Sequence, residues 1–365
     1  MNLPSLHAKV AMRVGGAYTL GALGTKHVID QATPLVCEAI DSMELPAHGF
    51  TLCDMGCADG ATSLEMITAA IETVRKRAPG LPIFVVHADQ PLNDYNALMN
   101  VVHDLAEVES FLPRYEGVYP VASATTFFRQ ILPPDTLHLG FSANAMHWLS
   151  AKPGNISNHL QPVGATGAEL DAYQAQAERD WETLLLHRGA ELVCGGHLVL
   201  APFAIDEKQR YLGNTDGESV FENLNSIWQE FVNQGVITES EYLEMNHVQY
   251  YKSEPEWRAP FEDSSGSVWS AGLRLVSIEN RVVPCPFATS FKQHGDVQRF
   301  IDEYIPSIRY WSESIYAGAL SSERPQAERD NIIEHYYQTY AERVRKRPEA
   351  HKMDHVNAYM VIKKV

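Results

Sequence analysis

The amino-acid sequence predicts an α/β fold in which a doubly wound parallel sheet carries a mostly helical cap. Short apolar runs, typical of strands buried on both faces, alternate with amphipathic segments up to about residue 205. This βαβ alternation is that of a parallel sheet with helices on both sides. After residue 205 the pattern becomes mainly helical, and strand-like segments return near the end, which predicts a cap inserted between strands.

The sheet domain follows from elements that alternate along the chain. Thr33 and Pro34 have the residue types of a helix cap and a first helical residue. We predict strands at 50–54, 83–89, 136–144 and 197–204, and helices at 60–77, 93–105 and 172–192, the last of them ending at Gly195 and Gly196.

The second part of the chain is mainly helical. We predict helices at 217–234, 239–246, 296–320 and 326–346, and strands at 273–283 and 356–364. We therefore assign residues 1–204 and 270–365 to a core domain, whose C-terminal part shares its helices with the cap. Residues 205–269 are the main cap insertion, which is expected to cover a pocket on the sheet.

Composition and charge argue against several classes of function. The chain has 365 residues, 45% of them hydrophobic, and a formal charge of −17. An acidic surface repels nucleic-acid phosphates and anionic lipids, so neither is an expected partner. The five cysteines form no CxxC pair and lack zinc-type partners, which favours a reducing compartment and no metal. We see no signal-peptide pattern and no apolar stretch able to span a bilayer, so we expect a soluble, cytoplasmic protein.

The stretch FTLCDMGCADGAT (50–62) reads as a strand that ends in an acid and enters a glycine turn. In doubly wound sheets ligands bind at such turns, beyond the carboxyl ends of the strands. The pattern Asp54-x-Gly56-x-x-x-Gly60 lacks the G-x-G of dinucleotide enzymes, and Asp54 would repel a pyrophosphate, which disfavours a nicotinamide oxidoreductase.

A second acid narrows the ligand class. Asp89 ends the next predicted strand, where it can accept hydrogen bonds from the two hydroxyls of a ribose. An acid, a glycine turn and a second acid favour a nucleoside that carries a positive group and no phosphates. S-adenosyl-L-methionine fits this description. A turn that serves only the close packing of helix and strand is the alternative.

The stretch DTLHLGFSANAMHWLS (135–150) covers the end of the strand predicted at 136–144, where such sheets hold the acceptor. It lacks the N/D-P-P-Y/F turn of enzymes that methylate amino groups of nucleic acids. His147 and Trp148 instead bring together an imidazole and an indole N–H, and both can donate to a carboxylate. A Trp in the core beside a surface His is the alternative interpretation.

At this point the chain resembles the SABATH family of methyltransferases, which make methyl esters of small carboxylic acids and N-methylate xanthines. The similar stretches occur in order along nearly the whole chain: MRVGGAY (12–18), CDMGCADGATS (53–63), HADQPLNDYNAL (87–98), LPPDTLHLGFSANAMHWLS (132–150), the segment 180–200 and VNAYMVIKK (356–364). The resemblance implies the Rossmann-like sheet of a class I S-adenosyl-L-methionine-dependent methyltransferase. It also implies a homodimer.

The resemblance assigns roles to residues of the cofactor site. It implies that Tyr18 lies over cofactor and acceptor, and that Asp54 and Gly56 hold the methionine end. The remaining cofactor residues that it implies are Asp89 at the ribose, Gln90 beside the adenine, and Thr126 and Phe127 against the adenine.

The acceptor side combines family features with departures. The resemblance implies that Trp148 bonds the substrate carboxylate. His147 stands where salicylate-type members have Met and several indoleacetate- and farnesoate-type members have His. Thr25 stands where many members have a Gln, the second carboxylate donor, so either Thr25 or His147 takes that task. The other substrate-binding residues implied are Asn144, where many members have Tyr, and Phe221, Tyr250 and Trp311 in the cap.

The sequence therefore predicts an enzyme that transfers a methyl group from S-adenosyl-L-methionine to a small carboxylic acid, leaving S-adenosyl-L-homocysteine. A carboxylic acid is already ionised at neutral pH, so no general base is required. His147 and Trp148 are the expected catalytic residues. The alternatives are N-methylation of a heterocycle, and an inactive subunit that binds the cofactor and serves a partner.

Overall fold

The structure is a computed structural model and describes residues 22–365. Tyr18 lies outside the described residues. The strands are β1 (Phe50–Met55), β2 (Ile83–Asp89), β3 (Val118–Ala124), β4 (Leu137–Ala143), β5 (Leu192–Ala201), β6 (Ala204–Ile205), β7 (Lys252–Ser253), β8 (Leu273–Val283) and β9 (His355–Lys364). The α-helices are α1 (Leu23–Ser42), α2 (Leu64–Arg77), α3 (Tyr95–Val102), α4 (Gly167–Glu191), α5 (Val220–Asn233), α6 (Glu239–Glu244), α7 (Glu254–Arg258), α8 (Ser267–Ser270), α9 (Pro286–His294), α10 (Val297–Ala319) and α11 (Gln326–Lys346).

Seven strands form one twisted sheet in the order β3-β2-β1-β4-β5-β9-β8. The five strands from β3 to β5 are parallel, whereas β9 pairs antiparallel with both β5 and β8. The predicted α/β fold is confirmed, but the sheet is mixed at one end. β9 alone runs opposite to the other six strands, because it pairs antiparallel with both of its neighbours, and it enters the sheet only after the chain has passed through the cap.

The first described helix is longer than predicted. It begins at Leu23, and Pro34 lies inside it, so the prediction that Pro34 opens a helix is wrong. The apolar face of α1 includes the buried Val28, Ile29 and Val36, and it continues across the proline. A proline inside a helix removes one hydrogen bond, but burial of a continuous apolar face outweighs that local cost. The Thr33 hydroxyl does not cap the helix and donates instead to the Ile29 carbonyl at 2.9 Å.

Gly195 and Gly196 do not end a helix. Helix α4 ends at Glu191, and β5 starts at the next residue, so both glycines lie within the strand. The pairing of β4 with β5 shifts between Leu137 and Leu139, which produces a bulge. Gly195 has a φ of +84° in this bulge, a conformation that side chains other than glycine rarely adopt.

The sequence prediction also missed β3 and α9. β3 is an edge strand with several exposed residues and with Pro120 in its middle, so it lacks the apolar run of the buried strands. Proline is tolerated there because one side of an edge strand makes no ladder bonds. Helix α9 begins at Pro286, within the segment Pro284-Cys285-Pro286, where two prolines close together obscure the start of a helix.

Two large hydrophobic clusters make up most of the interior. One lies around the sheet and packs α1, α2 and α3 against the central strands. The other joins the cap helices α5 and α6 to α9, α10 and α11. The cap therefore shares its core with the C-terminal helices. None of the helices in residues 22–365 has the length and apolar character needed to cross a membrane.

Candidate active site

Two carboxylates meet where β1 and β2 end. These strands are parallel neighbours with Asp54 opposite His87, so Asp54 and Asp89 lie at the same edge of the sheet. Asp54 is buried and accepts a 2.6 Å hydrogen bond from the Ser63 hydroxyl. Burial raises the pKa of Asp54 to about 6; the Ser63 bond opposes this rise, and the charge of Asp89 adds to it.

The glycine turn wraps around Asp89. The carboxylate of Asp89 accepts from the backbone N–H groups of Ala58 at 2.8 Å and Gln90 at 2.7 Å. Burial raises its pKa, and these two bonds oppose the rise. Gly56 has a φ of +81°, and a Cβ atom there would lie 2.5 Å from the Cβ of Ala145. The turn thus needs glycine both for its conformation and for its contact with the segment after β4.

The side chains gathered at this turn suit a cation and a diol. Asp59 adds a third carboxylate, and its buried Oδ2 has no partner among the described residues. Carboxylates attract an ammonium or sulfonium group and accept from ribose hydroxyls, but they repel phosphates. These acceptor groups therefore fit the charged group and the ribose hydroxyls of S-adenosyl-L-methionine.

The segment that carries Thr126 and Phe127 is held by a buried ion pair that the sequence prediction missed. Arg188 on α4 donates to the Phe127 carbonyl at 3.0 Å and to the Arg129 carbonyl at 2.7 Å. Glu191 pairs with Arg188 and accepts from the Ile131 backbone N–H, each at 2.5 Å. The two charges sit three residues apart on one helix turn, but nothing in the sequence marks them as buried.

The acceptor side is a cavity, partly open to solvent, that lies between the sheet, the start of α1 and the cap. Five of the residues predicted to bind substrate line it: Thr25, Asn144, His147, Trp148 and Trp311. Further lining side chains include Phe203, Gln249, Tyr251, Tyr310 and His355. None of the described residues that line this cavity is Asp, Glu, Lys or Arg, so its polar groups are neutral donors and acceptors.

His147 is packed within aromatic rings. Its ring centroid lies 4.8 Å from Phe203, 5.3 Å from Trp148 and 5.6 Å from Tyr251. Burial lowers the pKa of His147 to about 3, and the nearby His247 adds to this effect. The imidazole is therefore neutral at physiological pH. Its Nδ1 is buried without a partner among the described residues.

Thr25 and Asn144 lie against each other. Helix α1 brings Thr25 to the cavity, and Asn144 follows β4 with a φ of +49°. The Asn144 amide Nδ2 donates to the Thr25 hydroxyl oxygen at 3.0 Å. A positive φ is tolerated by Asn better than by most residues. The short side chain of Thr25 thus reaches the cavity in contact with the segment that follows β4.

Two residues predicted to bind substrate do not line the cavity. Phe221 is buried in the cap, with its ring 6.1 Å from both Tyr251 and Trp311, so it supports the wall from behind. Tyr250 turns away, and its hydroxyl donates to Glu256 at 2.8 Å. Neighbouring side chains of this extended segment point in opposite directions, so Tyr251 reaches the cavity instead. A one-residue change of register accounts for the difference.

Residues 22–365 contain no group of three or more His, Cys, Asp or Glu side chains that is arranged to hold a metal ion. Gln90, Thr126 and Phe127, predicted to contact the adenine, belong to the segments that follow β2 and β3. These two strands are neighbours in the sheet, so the structure places all three residues at its carboxyl edge beside Asp89.

Comparison with known proteins identifies the family. The profile of a family described as SAM dependent carboxyl methyltransferase matches residues 15–365. Loganic acid O-methyltransferase of Catharanthus roseus is 26% identical over 258 residues, which are 65% of this chain and 67% of that protein. A benzoic acid/salicylic acid carboxyl methyltransferase of Petunia hybrida is 26% identical over 344 residues, 85% of this chain and 92% of that protein.

One solved structure shares the fold over nearly the full length. The structure of loganic acid methyltransferase with SAH has a TM-score of 0.75 and 21% identity, and the match covers 97% of this chain and 98% of that chain. The mixed sheet and its cap are therefore a known architecture. With the family profile extending over residues 15–365, the chain belongs to the SABATH family of S-adenosyl-L-methionine-dependent methyltransferases, which act on small carboxylic acids.

Proposed function

We propose that this protein is a carboxyl O-methyltransferase that converts a small monocarboxylic acid to its methyl ester. The observation that carries the proposal is the lining of the acceptor cavity, where neutral donors lie among aromatic rings with no ionic side chain among the described lining residues. Such a cavity orients a carboxylate without trapping it. An Arg or Lys clamp would stabilise the anion before reaction as well as during it.

The chain's own residues bind, orient and desolvate. When bound, S-adenosyl-L-methionine supplies an electrophilic methyl group, whose transfer to a carboxylate oxygen breaks the carbon–sulfur bond and leaves S-adenosyl-L-homocysteine. Trp148 and His147 donate to the carboxylate and aim one of its oxygens. The aromatic walls formed by Phe203 and Tyr251 exclude water, which favours a reaction in which two opposite charges disappear.

The cap is expected to act as the lid of this site. We propose residues 205–269 as the main cap and residues 1–204 with 270–365 as the core. Cap helix α5 shares one hydrophobic cluster with α10 and α11, which supports a C-terminal part of the core that shares its helices with the cap, and Trp311 of α10 lines the cavity. The aromatic lining favours an aromatic or similarly apolar substrate body.

A single carboxylate suits the cavity better than two. A second carboxylate on the substrate would have to be buried without a cation among the described lining residues, and an unpaired buried charge costs several kcal/mol. We therefore expect monoacids to be preferred over diacids of similar size.

The two alternatives fit less well. N-methylation of a heterocycle that must lose an N–H proton needs a base, and His147 with a pKa of about 3 is a poor one at neutral pH. An inactive partner subunit would be supported by a blocked acceptor site, whereas the described residues leave a cavity that is partly open to solvent.

The test uses S-adenosyl-L-methionine with a labelled methyl group and a panel of acceptors. The panel is benzoate, salicylate, indoleacetate, farnesoate, a medium-chain fatty acid, a furan dicarboxylate and xanthine. We expect label in an extractable, base-labile ester of a monoacid. Label only on xanthine would establish the N-methylation alternative, and no label with intact cofactor binding would favour the inactive subunit.

A pair of tryptophan variants tests the role of the indole N–H. Trp148→Phe keeps an aromatic ring and removes one charge-assisted hydrogen bond, so kcat/KM for the acid should fall on the order of 10-fold or more. Cofactor affinity, measured by calorimetry, should stay unchanged. Trp269→Phe is the control, because Trp269 packs under Arg274 outside the cavity. Equal losses of cofactor affinity and turnover in Trp148→Phe would show a structural role instead.

A homodimer and a cytoplasmic location remain predictions. The homodimer is expected from the family resemblance, and light scattering in solution would measure it as twice the chain mass of 40.8 kDa. A scattering mass of one chain would contradict it.

A further inference from the structure

A chain of side-chain hydrogen bonds runs from the sheet to the acceptor cavity. It begins at the Ala201 carbonyl at the end of β5, which accepts from Nδ2 of Asn357 at 2.8 Å. The same Nδ2 donates to Oδ1 of Asn144 at 2.7 Å. Nδ2 of Asn144 then donates to Oγ1 of Thr25 at 3.0 Å. The chain thus connects β5, β9, the segment after β4 and helix α1.

The Ala201 carbonyl fixes the direction of every bond in this chain. A carbonyl oxygen only accepts, so Asn357 must present its amide N–H to Ala201. With Nδ2 of Asn357 also facing Asn144, Asn144 must turn its oxygen toward Asn357 and its N–H toward Thr25. The Thr25 oxygen therefore accepts, and its one O–H proton remains for a different partner. Among the described residues Thr25 donates to none.

We propose that Asn357 and Asn144 are positioning residues which make the Thr25 hydroxyl a hydrogen-bond donor to the substrate carboxylate. The inference rests on the proposed function and adds a second donor to it. Thr25 lines the same cavity as Trp148 and His147, and no residue of 22–365 accepts its proton, so the hydroxyl can donate there. Without the amide of Asn144, the hydroxyl could rotate and turn either its proton or its lone pairs to the substrate.

Two features of this chain of hydrogen bonds cost free energy, which favours a functional reason for its presence. Asn144 adopts a positive φ of +49°, which is uncommon outside glycine. Asn357 is completely buried, and its Oδ1 has no partner among the described residues. Buried polar atoms are nearly always paired, and an exception calls for an explanation. The need to hold one direction of hydrogen bonding explains the unpaired oxygen of Asn357.

A double-mutant cycle tests the proposal on the full-length protein with the best acid from the panel. Thr25→Val removes the hydroxyl at nearly constant volume, and Thr25→Ser retains it. Asn144→Gly removes the amide and keeps a residue that tolerates positive φ. We expect Thr25→Val to lower kcat/KM for the acid on the order of 10-fold, with Thr25→Ser within about 3-fold of the wild type.

Non-additive effects of the asparagine and Thr25 variants on kcat/KM distinguish a positioning role from a general effect on the structure. Asn144→Gly and Asn357→Ala should each lower kcat/KM several-fold in the wild type and have almost no further effect in the Thr25→Val background. The cofactor affinity of every variant should stay within about 2-fold of the wild type. Thr33→Val is the matched control, since it removes a hydroxyl of the same helix that bonds only within the helix.

Several results would overturn the inference. Full activity of Thr25→Val would show that its hydroxyl is no donor, and multiplicative losses in the double variants would show that the asparagines act by another route. A Thr25→Ser variant with a kcat/KM as low as that of Thr25→Val would also overturn the role of the hydroxyl. A wild type that methylates xanthine but no acid would overturn the proposed function itself, and with it the carboxylate role of Thr25.

Discussion

At the scale of single residues, Asp54, which we propose to hold the charged end of the cofactor, has a raised pKa. It lies at the end of β1, buried, with one hydroxyl partner and a second acid nearby. Below about pH 6 the free protein therefore favours the protonated carboxyl of Asp54, whereas a bound sulfonium or ammonium group favours the carboxylate. Cofactor binding below about pH 6 should be accompanied by proton loss from this residue.

The free protein should show this shift in its stability. The folded pKa of about 6 lies above the unfolded value of 3.8, so the contribution of Asp54 is fully present below pH 4 and is lost as pH rises through 6. Asp54→Asn removes this loss. We expect the variant without cofactor to be more stable than the wild type by ~3 kcal/mol at pH 8, with little difference at pH 4.

Urea denaturation at both pH values measures this difference, and calorimetry of cofactor binding completes the test. Ser63→Ala provides the control, because it removes the partner and leaves the acid. The same Asp54→Asn variant should bind S-adenosyl-L-methionine far more weakly. A stability difference between Asp54→Asn and wild type that does not grow from pH 4 to pH 8 would contradict the buried-acid explanation.

Some residues of the site could be predicted from the sequence, whereas others could not. Asp54 and Asp89 lie at the ends of strands whose apolar runs are plain in the sequence, and His147 and Trp148 follow another such strand, so their common edge could be predicted. Asn357 could not be connected to Thr25, because the two are brought together only when β9 joins the sheet next to β5. A hydrogen-bonded chain between residues so far apart leaves no local pattern.

At the scale of elements, Arg188 and Glu191 tie α4 to the segment that follows β3. All three nitrogens of the Arg188 guanidinium are used, toward Glu191 and the carbonyls of Phe127 and Arg129. Arg188→Met leaves Glu191 charged and buried, so we expect a loss of ~3–5 kcal/mol in the free energy of unfolding. It should also weaken cofactor binding, because the segment with Thr126 and Phe127 loses its anchors.

Urea denaturation and calorimetry measure the two effects of Arg188→Met. Arg188→Lys should rescue only part of the loss, since one ammonium group cannot replace the planar fork of the guanidinium. The control is Arg258→Met, which breaks the half-exposed pair with Glu254 and should cost less than about 1 kcal/mol. A similar cost for Arg188→Met and Arg258→Met would show that the buried pair is no anchor.

The elements that sequence reasoning misplaced share one cause. Pro34 and the Gly195-Gly196 pair are residues that usually mark the end or start of an element. Yet Pro34 lies inside a helix, and the two glycines lie inside a strand. In each case packing against the sheet supplies more free energy than the local preference removes. The apolar run of β5 continues on both sides of its bulge, and the buried face of α1 continues past the proline.

At the scale of the whole molecule, the order of strands makes core and cap depend on each other. β9 is the last element in the chain, and it lies between β5 and β8 within the sheet. The sheet is therefore incomplete until the chain has passed through the cap and returned. The cap helices share their hydrophobic cluster with α10 and α11, which lead directly into β9.

We expect core and cap to unfold as one cooperative unit. Scanning calorimetry should show a single transition whose calorimetric and van't Hoff enthalpies agree. S-adenosyl-L-methionine at about 100 times its Kd should stabilise the whole unit by ~2.7 kcal/mol and move that one transition. Two transitions, of which the cofactor moves only one, would show that cap and core are independent.

The sequence by itself determined the α/β class, most strands and helices, the two acids at the glycine turn, the cofactor and the position of the His-Trp pair. These follow from local periodicity and from the rule that parallel strands end at one edge of a sheet. Only the tertiary structure decided the antiparallel entry of β9, the choice of Tyr251 over Tyr250, and the Asn357–Asn144–Thr25 chain. Each of these depends on contacts between distant segments, which have no period along the chain and arise only when the sheet and cap are packed together.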